Sequence, residues 1–142
     1  GASEMNQMRR DVELVIPMIP EMELTATKTA EAVGQFMKLD NDSIDEIKLA
    51  IIEACINAIE HSDSEDRRVS VGFEIGDEAL TIHISDHGQG FDLSEARDQL
   101  QQRRDAGTQT RGWGLQIMEG LMDEVRVDSG DRGTVITMVK RR

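Results

Sequence analysis

Basic residues are scarce in this chain of 142 residues: 16 Lys and Arg stand against 28 Asp and Glu, which gives a formal net charge of −12. A protein that binds nucleic acid without regard to sequence needs clustered Lys and Arg to displace counterions from the phosphates. Anionic membrane surfaces attract similar basic clusters. The composition therefore argues against a nucleic-acid partner and against a membrane partner, and it favours a protein partner with a basic surface.

Cysteine and long apolar runs are also nearly absent. The single cysteine, Cys55, excludes a disulfide within the chain and favours a reducing, cytoplasmic setting in which it is a buried free thiol. No run approaches the roughly 20 apolar residues of a transmembrane helix, so we expect a soluble protein. We expect residues 1–8 to be a disordered N-terminal segment and residues 9–142 to form a single domain.

Hydrophobic periodicity predicts an α+β fold. Alternating apolar residues predict strands, and apolar residues three or four positions apart predict helices. The predicted strands cover residues 12–19, 69–75, 80–86, 125–128 and 135–139, and the predicted helices cover residues 22–38, 43–60 and 113–122. Two prolines make the first strand an edge strand, and Ser43 with Glu46 matches a capping box that starts the second helix. This order favours a two-layer sandwich, a mixed and mostly antiparallel sheet with helices on one face.

The second predicted helix carries the first group of polar residues with chemical interest. Glu53, Asn57 and His61 are four residues apart and share one face of the helix. One interpretation is a solvated face stabilised by contacts between successive turns. The other is a small site, in which the Asn57 amide oxygen coordinates Mg²⁺ and the Glu53 carboxylate accepts a proton or orients a nucleophile. The spacing alone leaves both interpretations open.

The second group follows a predicted strand. Asp86 ends that strand, and Gly88 and Gly90 come directly after it. Glycines let the backbone adopt positive φ or approach a ligand closely, whereas a tight turn with an Asx contact is the structural alternative. The string does not fit an EF-hand, because the glycines occupy positions that require oxygen side chains. His83 and His87 share no helical face, so we do not expect a zinc site.

The third group precedes the last predicted helix. Gly112 and Gly114 leave the backbone N–H groups of a helix N-terminus accessible to phosphate, and Arg111 adds a charged donor. The segment lacks the third glycine of a dinucleotide fingerprint and the Lys-Ser/Thr of a P-loop. Trp113, between the glycines, is expected to pack or to contact a lid rather than to stack on adenine. Residues 92–111 are too rich in Gln, Arg and Asp to be core.

In this order, the three groups closely resemble the GHKL (Bergerat-fold) ATPase superfamily. Within it, the chain is similar to the bacterial anti-sigma factor serine/threonine kinases of partner-switching systems. The strings that carry the resemblance lie at residues 53–61, 86–91, 112–117, 121–125 and 133–134. The resemblance covers about residues 11–140 and implies that the chain is a protein kinase with ATP and Mg²⁺ as cofactors and an ATP lid at about residues 92–111.

The resemblance implies a role for each matching residue. Glu53 would be the general base or orienting group for the attacking hydroxyl, and Asn57 would bind Mg²⁺. Asp86 would accept a hydrogen bond from the adenine amine, and Thr134 would help to hold adenine through water. His61 would have a structural role. The remaining cofactor-binding residues would let the backbone close under the nucleotide or contact the phosphates: Gly88, Gly90, Arg111, Gly112, Trp113, Gly114 and Leu115.

The resemblance also implies partners. Such a protein would hold an RNA polymerase sigma factor inactive and phosphorylate a small anti-anti-sigma antagonist protein, and it would form a homodimer, for which the edge at residues 12–19 is the candidate interface. The alternative is a nucleotide-binding interaction module that regulates a partner without phosphoryl transfer. Glu53 favours the kinase, because nucleotide binding alone would need only Asn57, Asp86 and the glycines.

Overall fold

The computed structural model describes residues 10–17, 19–61, 68–86, 114–130 and 133–142. These residues form five strands and three helices in the predicted order. In chain order they are β1 (Asp11–Pro17), α1 (Glu23–Phe36), α2 (Asn41–His61), β2 (Arg68–Ile75), β3 (Ala79–Asp86), α3 (Gly114–Leu121), β4 (Glu124–Gly130) and β5 (Gly133–Arg141). The predicted disordered segment and the candidate lid lie outside the described residues.

The five strands form one sheet in the order β1-β2-β3-β5-β4. Every pairing between the described strands is antiparallel, so the parallel pair that a mixed sheet would contain is not among them. The strand β1 lies at an edge, as its prolines predicted. The predicted α+β class is confirmed.

One face of the sheet and the three helices enclose the core. Along β3, Leu80, Ile82 and Ile84 are buried and alternate with half-buried polar residues, so a single face of this strand supplies the core. Helix α1 contacts β1 and β2, helix α2 contacts β3 and β5, and α3 contacts α2 and β4. None of the helices in the described part of the chain is both long enough and apolar enough to cross a membrane.

Cys55 lies on α2 and is a free, buried thiol, as predicted. Burial raises its pKa to about 12, and the Glu23 carboxylate contributes to the shift in the same direction. The thiol is therefore neutral at physiological pH and unsuited to act as a nucleophile, because the thiolate is the reactive form.

The capping box predicted at Ser43 and Glu46 is wrong, because α2 begins two residues earlier. Asp40 is the cap: its carbonyl oxygen accepts the N–H of Ile44 at 3.1 Å, and its Oδ1 accepts the N–H of Ser43 at 2.7 Å. This hydrogen bond from the Ser43 backbone holds the pKa of the Asp40 carboxyl below its usual value. Aspartate caps a helix as well as serine does, so the first of the two candidates in the chain starts the helix.

Helices α1 and α2 approach each other closely at Gly34, which is buried on α1. A β-carbon at this position would lie 2.6 Å from Cγ1 and 3.1 Å from Cδ1 of Ile44. Ile44 is itself buried, and its Cγ1 lies near the backbone, so it has little freedom to move aside. The contact therefore requires glycine, although glycine is a poor residue for the interior of a helix.

Gly34→Ala should destabilise the protein. Overpacking a core contact costs about 1–3 kcal/mol, which exceeds the roughly 1 kcal/mol that alanine gains over glycine in a helix. Gly120→Ala is the matched control, since Gly120 is also helical but a β-carbon there has no neighbour within 4 Å. Urea unfolding should place Gly34→Ala below the unaltered protein in stability and Gly120→Ala at or above it. Equal stability of the two variants would contradict the close contact of α1 and α2.

Candidate functional site

Glu53 and Asn57 lie one turn apart on α2, and the first residue of α3 rests against both. A β-carbon on Gly114 would lie 2.8 Å from Nδ2 and 3.1 Å from Oδ1 of Asn57, and 3.0 Å from Oε2 of Glu53. Asn57 is only 7% exposed and Glu53 is half-buried. The interpretation of this face as merely solvated is therefore wrong for Asn57.

The absence of a side chain at Gly114 allows this approach. A methyl group would fill the space between the backbone of α3 and the two polar side chains of α2. The first N–H groups of a helix have no partner within the helix and carry a partial positive charge. The N-terminal end of α3 thus lies next to a carboxylate and a carboxamide. The phosphate binding that the third sequence motif predicts at this helix end remains a prediction.

A second polar pair joins β3 to β5. Asp86 is 5% exposed at the end of β3, and Thr134 is 2% exposed on β5. The backbone N–H of Thr134 donates a hydrogen bond of 3.1 Å to Oδ1 of Asp86. This bond comes from a neighbouring strand and not from a local turn, and it fixes the position of a buried carboxylate. Residues far apart in the sequence are therefore adjacent in the fold, at the positions to which the resemblance assigned adenine binding.

Several predicted site residues lie outside the described residues, as does the candidate lid: Gly88, Gly90, Arg111, Gly112 and Trp113. Leu115 is described, and its half-buried side chain packs against the hydrophobic core. Any part it has in phosphate binding therefore falls to its backbone N–H. His61 is the last residue of α2, and its side chain is not among those described.

His83 lies on the sheet face opposite the helices and away from the α2–α3 contact. Its Nδ1 is 3.2 Å from Oγ1 of Thr137, and its Nε2 is 3.1 Å from Oε2 of Glu74. Within the described ranges, no three His, Cys, Asp or Glu residues are grouped so that they could hold a metal ion.

Lys140 is a functional candidate that none of the three sequence motifs includes. It is buried on β5, and its Nζ donates a hydrogen bond of 2.6 Å to the carbonyl oxygen of Leu121 and lies 3.4 Å from Oε2 of Glu46. In the structure every second residue of β5 from Thr134 to Met138 is buried, and the same alternation places Lys140 inward. Val135 and Val139 on the other face are also apolar, so the sequence alone does not show which face is inward.

Comparison with known proteins identifies the family. The profile of the histidine kinase-like ATPase domain matches residues 17–140. The serine-protein kinase RsbW of Bacillus subtilis (strain 168) is 33% identical over 135 residues, covering 91% of this chain and 84% of that protein. RsbW of Bacillus pumilus (strain SAFR-032) is 33% identical over 144 residues, with 96% and 88% covered.

Two solved structures share the fold. The structure of the RsbU and RsbW domains of a Mycobacterium tuberculosis protein has a TM-score of 0.69 at 22% identity, covering 92% of this chain and 31% of that chain. The SiaB-SiaC complex from Pseudomonas aeruginosa gives a TM-score of 0.63 at 9% identity, covering 98% and 92%. At these identities the likeness concerns the fold alone.

The profile match and the identity to curated kinases define the class of protein, a histidine kinase-like ATPase domain. The chain belongs to the histidine kinase-like ATPase domain family, among the RsbW serine-protein kinases. This membership confirms the resemblance that the ordered motifs indicated.

Gly114→Ala should impair nucleotide binding more than it impairs folding. The methyl group would separate α3 from Glu53 and Asn57, so we expect ATP affinity in the presence of Mg²⁺ to fall about 10- to 100-fold, the scale on which small misplacements act. Calorimetric titration measures the affinity and thermal unfolding checks the fold. Gly120→Ala, near the other end of α3, should bind ATP normally. Normal ATP binding by a folded Gly114→Ala protein would show that the contact does not shape the nucleotide site.

Proposed function

We propose that this protein is an anti-sigma factor and an ATP-dependent serine/threonine kinase, which sequesters a sigma factor and phosphorylates a small anti-anti-sigma antagonist. The observation that carries the proposal is the contact of Gly114 with both Glu53 and Asn57, in a chain of the RsbW kinase family. A module that only bound nucleotide would have no need of the half-buried Glu53 carboxylate beside the phosphate-binding backbone. The kinase is therefore preferred to the non-catalytic alternative.

The adenine end of the site is formed by Asp86. The adenine amine donates a hydrogen bond to this carboxylate, which the N–H of Thr134 holds in place. Because the carboxylate is buried, a base that presents a carbonyl in place of the amine would leave it facing another acceptor. The site therefore selects ATP over GTP by the cost of an unmatched polar group.

The phosphate end is formed by the N-terminus of α3. Backbone N–H groups at a helix N-terminus, together with the helix dipole, favour bound phosphate. The missing β-carbon of Gly114 lets these groups lie close to the polar face of α2. The family resemblance adds residues to this end of the site. Immediately before the helix come Arg111, Gly112 and Trp113, which would contact the phosphates. The backbone at Gly88 and Gly90 would close under the nucleotide.

The residues at this end fit Mg²⁺. The amide oxygen of Asn57 is a hard ligand, and the Glu53 carboxylate lies beside it. Mg²⁺ usually keeps several waters and takes one or two protein ligands together with substrate phosphates, which suits a chain whose described part has no larger group of ligands. When bound, Mg²⁺ would neutralise charge on the phosphates. Glu53 itself orients the attacking hydroxyl and accepts its proton.

The partners follow from charge and from exposed apolar residues. A net charge of −12 favours basic surfaces on the sigma factor and the antagonist. Homodimer formation would use the edge strand β1, where Val15 is 54% exposed and Ile19 follows in the chain, also exposed. In this role the protein acts in the cytoplasm on other soluble proteins.

Glu53→Gln should slow phosphoryl transfer strongly and preserve ATP binding. Glutamine keeps the size of the side chain but cannot accept the proton, and loss of a general base lowers rates by about 10²–10⁴-fold. The assay follows label from γ-labelled ATP to a candidate antagonist protein from the same operon. Glu31→Gln, which removes only a surface ion pair with Lys48, is the control. If Glu53→Gln transferred phosphate at the rate of the unaltered protein, the role of Glu53 would be refuted. If the unaltered protein bound ATP but transferred no phosphate, the non-catalytic module would be favoured.

Asp86→Asn should weaken ATP binding about 10- to 100-fold, because the new amide would present a donor to the adenine amine or to the N–H of Thr134. Asp128→Asn, on the exposed part of β4, should leave binding unchanged. Titration with ATP measures both, and thermal unfolding confirms that the variants fold. An unchanged ATP affinity in Asp86→Asn would contradict the proposal that Asp86 binds adenine.

A further inference from the structure

The last residue of α3 and Asp123, two residues beyond it, are attached to β5 by three hydrogen bonds to consecutive residues. The N–H of Asp123 donates to the carbonyl oxygen of Val139 at 2.9 Å, and Oδ2 of Asp123 accepts the N–H of Arg141 at 2.5 Å. Between them, Nζ of Lys140 donates to the carbonyl oxygen of Leu121 at 2.6 Å. We call these three bonds the α3 clip.

Lys140 is the cationic member of the α3 clip and the one that reaches a third element. Its side chain is 9% exposed, and its ammonium group lies 3.4 Å from the Glu46 carboxylate on α2. A buried ammonium group costs several kcal/mol unless it is paired and hydrogen-bonded, and here it has both kinds of contact. Leu121 ends α3, so the positive charge also lies at the favourable end of the helix dipole.

The α3 clip and the nucleotide site lie at opposite ends of one short helix. Helix α3 has eight residues, and at about 1.5 Å per residue its two ends are only some 10–12 Å apart. Gly114 at one end contacts Glu53, and Leu121 at the other end is joined through Lys140 to Glu46. Glu46 and Glu53 are seven residues apart, about two turns, so they lie on the same side of α2.

Helix α3 is therefore fastened to one face of α2 at two points. The contact at Gly114 is close packing, whereas the contact at Lys140 is directional and charged. A rigid helix this short cannot shift at one end without moving the other. The bonds that Lys140 makes at one end of α3 therefore add to the packing that sets the position of Gly114 at the other end.

We propose that Lys140 is a positioning residue for phosphoryl transfer, which fixes α3 on α2 and so holds the N-terminus of α3 at the nucleotide phosphates. The inference rests on the proposed function, in which that N-terminus receives the phosphates. Lys140 lies at the end of α3 away from Gly114, so it would act by holding α3 against α2 and not by contact with the nucleotide.

The test compares Lys140→Met, which keeps the length of the side chain without its charge, with Lys140→Arg, which restores a cationic donor. We expect Lys140→Met to raise KM for ATP about 10- to 100-fold, with a smaller change in kcat, and to speed amide hydrogen exchange in α3 but not in β2 or β3. Lys140→Arg should recover most of both properties. Lys48→Met, which breaks a surface pair with Glu31, should change neither.

Three outcomes separate the hypotheses. A folded Lys140→Met protein with unchanged KM and unchanged exchange in α3 would overturn the inference. Faster exchange throughout the chain, without a selective effect in α3, would also overturn it, because Lys140 would then serve stability in general. If the unaltered protein neither binds nor turns over ATP, the proposed function fails instead, and the exchange measurement still decides whether Lys140 holds α3.

Discussion

The contact between the first residue of α3 and the polar face of α2 is the constraint on which the candidate site depends. Gly114 touches both Glu53 and Asn57, and a single added carbon would lie within 3.0 Å of each side chain. The core packing of α2, the antiparallel sheet beneath it and the attachment of α3 to β5 all serve to place this contact. A carboxylate, a carboxamide and backbone N–H groups can lie together here because Gly114 has no side chain to separate α3 from α2.

Glycine at helix contacts has two different consequences in this fold. At Gly34 the neighbour is the apolar side chain of Ile44, and the close approach supports the packing of α1 on α2. At Gly114 the neighbours are polar groups that bulk solvent cannot fully reach, and the close approach creates a site. The same steric property therefore contributes to stability in one place and, in our proposal, to phosphate binding in the other. Asp86 accepts a hydrogen bond from the N–H of Thr134 between β3 and β5, and in our proposal it is the acceptor for the adenine amine.

The sequence predicted the element order and the fold class because apolar alternation and helical spacing are strong in this chain. It could not choose between a solvated face and a site at Asn57, since the burial of that residue depends on α3, more than 50 residues further along the chain. It misplaced the start of α2, because Asp40 and Ser43 are both good caps. It overlooked Lys140, whose charge suggests solvent although it lies on the inward face of β5. The adjacency of Asp86 and Thr134 followed from the family resemblance and not from local pattern.

A crystal structure of the protein with Mg²⁺ and a non-hydrolysable ATP analogue would test most directly whether the N-terminus of α3, Asn57 and Asp86 form the nucleotide site. Phosphate oxygens should lie within hydrogen-bond distance of the backbone N–H groups at the start of α3, Mg²⁺ should be bound to Asn57, and the adenine amine should contact Asp86. A nucleotide bound elsewhere, with α3 still closed against Glu53 and Asn57, would contradict this prediction.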